Sequence, residues 1–191
     1  CFRPISINLI TNKTNNIPKN VISFGINIES QIRVLGEYLD KKKIKNTLLL
    51  SPRKKFEDQI KPIKDSKINF NRSFLYDISP KKITGQIEKI TKYQVRKKNL
   101  ERRIKILEKS ELHRDQKELK KLEQMHTLGS VNFDSVLVVD FGERLKSVLT
   151  SFMFSDISNK EVDFFTVNQW FDKTLFNESA FQNLHFPGID L

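Results

Sequence analysis

The sequence predicts an α/β fold, a parallel sheet in three layers with helices on both faces and one charged helical hairpin inserted. Short strand-like runs alternate with amphipathic stretches in the order βαβαβαβαβαβ, as parallel strands joined by helical crossovers do. The runs are apolar at successive positions rather than at every second one, which is how strands covered on both faces read. Residues 81–126 carry 15 Lys and Arg against 7 Asp and Glu, a net of +8, on a framework of leucines at helical spacing.

ISINLI (5–10) and VISFG (21–25) are the first strands, separated by TNKTNNIPKN, whose Asn, Thr and Pro favour local side-chain bonding over a ladder. Ile28, Ile32, Leu35 and Leu39 recur at steps of 4, 3 and 4, giving a helix over 29–42 with one buried face. NTLLLS (46–51) is a buried strand; a short helix over 54–61 should end near Pro62, and NRSFLY (71–76) is the next strand. From Ser79-Pro80 a helix starts with proline in its first turn and Ile83, Ile87 and Ile90 on one stripe, and it should continue through Tyr93, Leu100, Ile104 and Leu107. Leu112, Leu119 and Leu122 resume the spacing on a new phase, so a hairpin turn falls at 110–115, with Ser110 placed to cap the second helix and His113, Arg114 and Asp115 at a solvated tip. FDSVLVVD (133–140) is the clearest strand, followed by a helix over 143–155, the strand VDFFTV (162–167), a helix over 173–182 and a last strand in NLHFPG (183–188).

Composition bounds the function. At 191 residues with 38% hydrophobic residues and 15 Phe, the chain can bury a real core. No apolar run approaches the ~18 residues of a membrane-spanning helix. The net charge of +11 invites polyanions, but most of it sits in one segment and the chain is rich in Lys, Asn and Ile throughout, so nucleic acid is not the expected partner. Cys1 stands where Met would, and a strand follows almost at once, so these residues hold no signal peptide and the N-terminus is expected to be processed or cut away. The same closeness leaves little room for a polar tether if Cys1 itself were acylated. A lone cysteine excludes an internal disulfide and any multi-cysteine metal site.

Catalysis finds no support. His113-Arg114-Asp115 and Asp140-Phe141-Gly142 come in the order of the kinase catalytic-loop and metal-loop triplets, but Lys120 stands where a metal-binding Asn is required. No Gly-rich phosphate loop precedes them. No Gly-x-Ser-x-Gly or His-Glu-x-x-His is present, and His113, His126 and His185 keep no ligand-like spacing, so neither a metal nor a cofactor is expected.

VISFGINIESQIRVLGEYLDKKKIKNTLLLSP resembles the passage from first to second lobe in a type I periplasmic-binding-protein fold. HTLGSVNFDSVLVVDFGERLKSVL, a later Trp170-Phe171-Asp172 and the closing FPGID are similar to the penicillin-binding-protein activator lipoproteins of Gram-negative bacteria. The resemblance implies a fragment: residues 1–25 a remnant of the first lobe and hinge, 26–191 the second lobe, with a helical insertion at 94–126 and a return toward the first lobe after 165. It further implies a non-catalytic periplasmic protein, held to the outer membrane by a lipid anchor on an absent N-terminal region, that activates a peptidoglycan synthase by contact. Its wider relatives imply an alternative, the solute-binding component of an amino-acid-type ABC transporter. A third reading is anionic-polymer binding through the basic hairpin.

Ligands of open α/β sheets settle outside the carboxyl ends of the strands. The candidate ligand-binding residues are therefore Thr11, Asn12, Gly25, Ser51, Asp140, Phe141, Gly142, Gln169 and Trp170. Thr11 and Asn12 carry groups that can bond a ligand carboxylate, although capping a turn is their ordinary use. Asp140 can accept from a ligand amine, although an Asp before a helix more often caps it. Trp170 can wall a cleft or pack in the core.

Overall fold

The computed structural model describes residues 6–8, 21–23, 28–53, 57–140, 142–157, 161–167 and 184–188. Strands β1 (Ser6–Asn8) and β2 (Val21–Ser23) pair in parallel as a two-stranded sheet. The main sheet is five-stranded and wholly parallel, in the order β4-β3-β5-β6-β7, from β3 (Thr47–Pro52), β4 (Phe70–Tyr76), β5 (Ser135–Val138), β6 (Asp163–Phe165) and β7 (Leu184–His185). The predicted α/β, parallel-sheet, three-layer architecture is the one found.

Alternation along the strands sends side chains to two separate cores. Leu49, Leu137, Val139 and Phe165 face one way, where α1 (Ile28–Lys41) and α2 (Glu57–Lys64) cover them with Ile28, Ile32, Leu35, Leu39, Ile60 and Ile63. Leu48, Leu50, Val136, Val138 and Phe164 face the other way, under α3 (Pro80–Ile90) and α6 (Gly142–Phe154). Phe152 of α6 meets Phe164 edge-on at 5.2 Å and Phe133 at 6.3 Å, the arrangement that aromatic quadrupoles prefer. Each fully buried Leu, Ile or Phe contributes about 1.5–3 kcal/mol, so these two layers carry most of the fold.

Four local expectations need correction. The helix expected over 54–61 runs on to Lys64 with Pro62 inside it: Ile60 and Ile63 both bury, and that burial outweighs the one backbone bond the proline cannot make. The helix expected to run unbroken from Ser79 is two helices. α3 ends at Ile90, the Thr91 hydroxyl bonds the Ile87 carbonyl at 2.9 Å, and Lys92 takes a left-handed φ of 52° before α4 (Tyr93–Leu107). A straight helix could not serve both stripes, because Ile83 and Ile87 pack on the sheet side whereas Leu100 and Leu107 pack against a different partner. Ser110 does not cap α5 (His113–Leu122); Leu112 occupies the N-cap position without a side-chain cap bond, and the Ser110 hydroxyl instead donates to Asp115 at 2.5 Å. Finally, β4 is an edge strand whose Asn71, Arg72 and Ser73 are exposed, so it is not covered on both faces. A charged edge residue such as Arg72 discourages pairing with a further strand.

The charged hairpin is α4 and α5, zipped by Leu100, Leu107, Leu119 and Leu122 and by the bidentate pair Arg103–Glu118 at 2.8 and 3.1 Å. Arg96 fixes its base. This side chain is 4% exposed and its guanidinium donates to the carbonyls of Ser155 and Asp156 at the carboxyl end of α6, where the helix leaves unpaired acceptors. Burial pulls the Arg96 guanidinium below its ordinary pKa, with the Asp156 carboxylate pulling the other way. Thr127 donates to the Asp156 carboxylate at 2.5 Å from the returning strand of chain. The expected helix over 173–182 lies outside the described residues.

Arg96→Ala should therefore destabilise the protein by about 2–4 kcal/mol, because it strands buried carbonyls. Arg103→Ala should cost about 1 kcal/mol or less, since its ion pair is partly solvated. Urea unfolding of the two variants checks the contrast.

Candidate functional site

The chain order places one crevice. β3 is followed by α2 on one face and leads outward to β4, whereas β5, on the other side of β3, is followed by α6 on the opposite face and leads to β6. The sheet thus switches direction between β3 and β5, and a parallel α/β sheet binds ligands just outside the carboxyl ends of such a strand pair. Those ends are Ser51-Pro52 and, two residues beyond β5, Asp140.

Asp140 is completely buried. The Tyr76 hydroxyl, at the end of β4, donates to its carboxylate at 2.5 Å, and Arg144 Nε on the first turn of α6 donates to both its oxygens at 3.0 and 3.2 Å. Each partner is positioned by the fold. Tyr76 is aligned with Pro52 in the ladder and its backbone carbonyl accepts from the Arg53 amide at 3.0 Å, so its ring lies on the α3/α6 side and reaches past β3. Arg144 is four residues after Asp140, and Gly142 between them takes a φ of 57° that lets the chain turn into α6. Burial first, and then the neighbouring carboxylate, push the Tyr76 pKa far above the ordinary tyrosine value, so this hydroxyl keeps its proton. The three groups satisfy one another: a phenol that donates, a carboxylate that accepts and a guanidinium that neutralises. Among the described residues nothing here offers an exposed nucleophile with a base beside it.

Of the residues expected to line a site, Ser51, Asp140 and Gly142 are described, and they divide between two sides of the sheet. Ser51 shares the orientation of Leu49 and points to the α1/α2 side, away from Asp140. Its hydroxyl is buried without a hydrogen-bond partner, a costly state for a polar group. Asp140 lies two residues before α6 begins at Gly142, and its carboxylate accepts from Tyr76 and Arg144. Thr11, Asn12, Gly25, Phe141, Gln169 and Trp170 lie outside the described residues. Sequence reading missed Tyr76 and Arg144. The i,i+4 step from Asp140 to Arg144 was a visible signal, whereas the reach of Tyr76 across 64 residues of chain had none. Among the described residues no three His, Cys, Asp or Glu side chains converge to hold a metal, and no helix is long and apolar enough to cross a membrane.

No protein-family model and no curated protein matches this sequence. Solved structures offer distant similarities. The LpoA C-domain from Haemophilus influenzae, described as a regulator of PBP1A, is 9% identical with a TM-score of 0.49, over 94% of this chain and 46% of that one. A dimeric Lac repressor with a C-terminal deletion is 12% identical with a TM-score of 0.49, over 94% of this chain and 52% of that one. Full-length LpoA from Haemophilus influenzae is 7% identical with a TM-score of 0.47, over 94% of this chain and 27% of that one. The chain spans about half the length of the first two and about a quarter of the third. Similarity this low carries nothing about ligand or partner.

Asp140→Ala should cost about 2–3 kcal/mol, because it leaves the buried Tyr76 phenol without its acceptor and removes the ion-pair partner of the partly exposed Arg144. Tyr76→Phe should cost about 1–2 kcal/mol, since Arg144 still neutralises the carboxylate. Chemical denaturation of both variants checks the order. A tyrosine in the unfolded chain ionises near about pH 10, whereas Tyr76 in the fold does not. Its contribution is complete below that pH and declines as pH rises above it. The unsubstituted protein should therefore lose more stability than Tyr76→Phe between about pH 9.5 and 11, as a pH series of unfolding curves would show.

Proposed function

We propose that this chain is a contact module of the cell envelope, derived from a type I periplasmic-binding-protein fold, that regulates a peptidoglycan synthase without catalysing a reaction. The observation that carries this reading is the set of mutually bonded polar side chains at the switch point. A solute-binding lobe needs convergent polar groups turned toward its ligand, whereas here the buried Tyr76 and Asp140 and the partly exposed Arg144 bond one another. Support also comes from the ordered elements Thr127-Leu128-Gly129, Phe133-Asp134 and Gly142-Glu143-Arg144-Leu145, which resemble those of the activator lipoproteins. On this reading residues 1–25 are the remnant of a first lobe and hinge, 26–191 form the second lobe, and the protein works in the periplasm beneath an outer-membrane lipid anchor.

A second reading, a solute-binding component for an amino-acid-like ligand, is favoured by one feature, the unpartnered Ser51 hydroxyl on the α1/α2 side.

Two measurements on the protein joined to its full upstream sequence separate them. The contact reading expects the rate of glycan polymerisation by a purified synthase to rise when the protein is added, and calorimetry with an amino-acid panel to show no heat. Micromolar binding of a single amino acid, with no effect on the synthase, would overturn it.

A further inference from the structure

The hairpin presents one surface that neither core nor switch point uses. On α4, Leu100 and Leu107 face α5, and the opposite side carries Lys98, Arg102 and Lys105, followed by Lys109 in the turn just after the helix, at steps of 4, 3 and 4, all exposed. Among the described residues none of these four cations is in an ion pair, whereas Arg103, on the inner side, is held by Glu118. Along one margin of the stripe run two large apolar side chains open to solvent, Val95 at 56% and Ile106 at 54% exposure. Leu112, in the loop closing the hairpin, is 61% exposed. Glu101 and Glu108 keep to the other margin.

We infer that this face of the hairpin docks onto an anionic phospholipid surface. Cations beside exposed aliphatic groups fit a bilayer interface, where the charges meet lipid phosphates and the apolar groups enter the headgroup boundary. A nucleic acid is the less suitable occupant. The stripe has no aromatic side chain on which bases could stack, and aliphatic side chains beside it gain nothing from a phosphate backbone. The four cations supply range and orientation, and Val95, Ile106 and Leu112 supply contact that salt does not screen. This surface is independent of the regulatory reading above and stands or falls without it.

The test is vesicle co-sedimentation of the full chain with phosphatidylcholine alone and with phosphatidylcholine containing about one-third phosphatidylglycerol. Binding is expected only to the anionic vesicles, weakening several-fold as salt rises from about 0.15 M to about 1 M. Each cation raises partitioning about fivefold, so the K98Q/R102Q/K105Q/K109Q variant should lose binding by about tenfold or more. Ile106→Ser with Leu112→Ser should abolish what survives at high salt. All six positions are exposed, and circular dichroism on each variant shows whether the fold is kept. Failure to bind anionic vesicles, retention of binding by the quadruple variant, or tighter binding to single-stranded RNA than to the vesicles would each overturn the assignment.

Discussion

The molecule depends on one constraint, that a parallel sheet must be covered on both faces. β5 shows it most plainly, because every residue from Ser135 to Asp140 is buried and successive side chains enter different cores. Once both faces need helices, consecutive crossovers have to part company somewhere. They do so between β3 and β5, where α2 leaves toward one layer and α6 toward the other. The crevice is thus a by-product of the sheet, available to whatever side chains the sequence puts there.

What stands there is a mutually bonded polar set. A buried carboxylate is tolerable only with partners that neutralise it and use its lone pairs, and Arg144 and Tyr76 do both for Asp140. The set joins the ends of β4, β5 and α6 without exposing a reacting group. Ser51, on the other side of the sheet, lacks such company. Ser51 lies at the end of β3 and Asp140 just after the neighbouring β5, yet the pleat keeps them apart, so the carboxyl end of the sheet is two environments rather than one.

Much of the architecture was legible in the sequence because burial leaves periodic traces. Ile28, Ile32, Leu35 and Leu39 announce α1, and the unbroken apolar run of residues 136–139 announces a central strand. Events decided by packing between distant segments were not legible. Pro62 argues for a helix end until Ile63 is seen to be fully buried beyond it, and nothing local at Lys92 says that two apolar stripes must diverge there. Asp140 was identifiable as a candidate from its place after a strand. Its partner Tyr76 was not, since pairing across β3 depends on strand order, which hydrophobic periodicity does not encode.

α6 carries Arg144 in its first turn, at the switch point, and ends at Phe154, just before the two carbonyls that Arg96 grips. Its 13 residues make a rod of about 20 Å. Because the grip is a buried guanidinium rather than a flexible tether, the hairpin is bolted to the far end of that rod. Any tug on the hairpin would be carried, as through a tie-bar, into the very corner of the sheet where Asp140 sits.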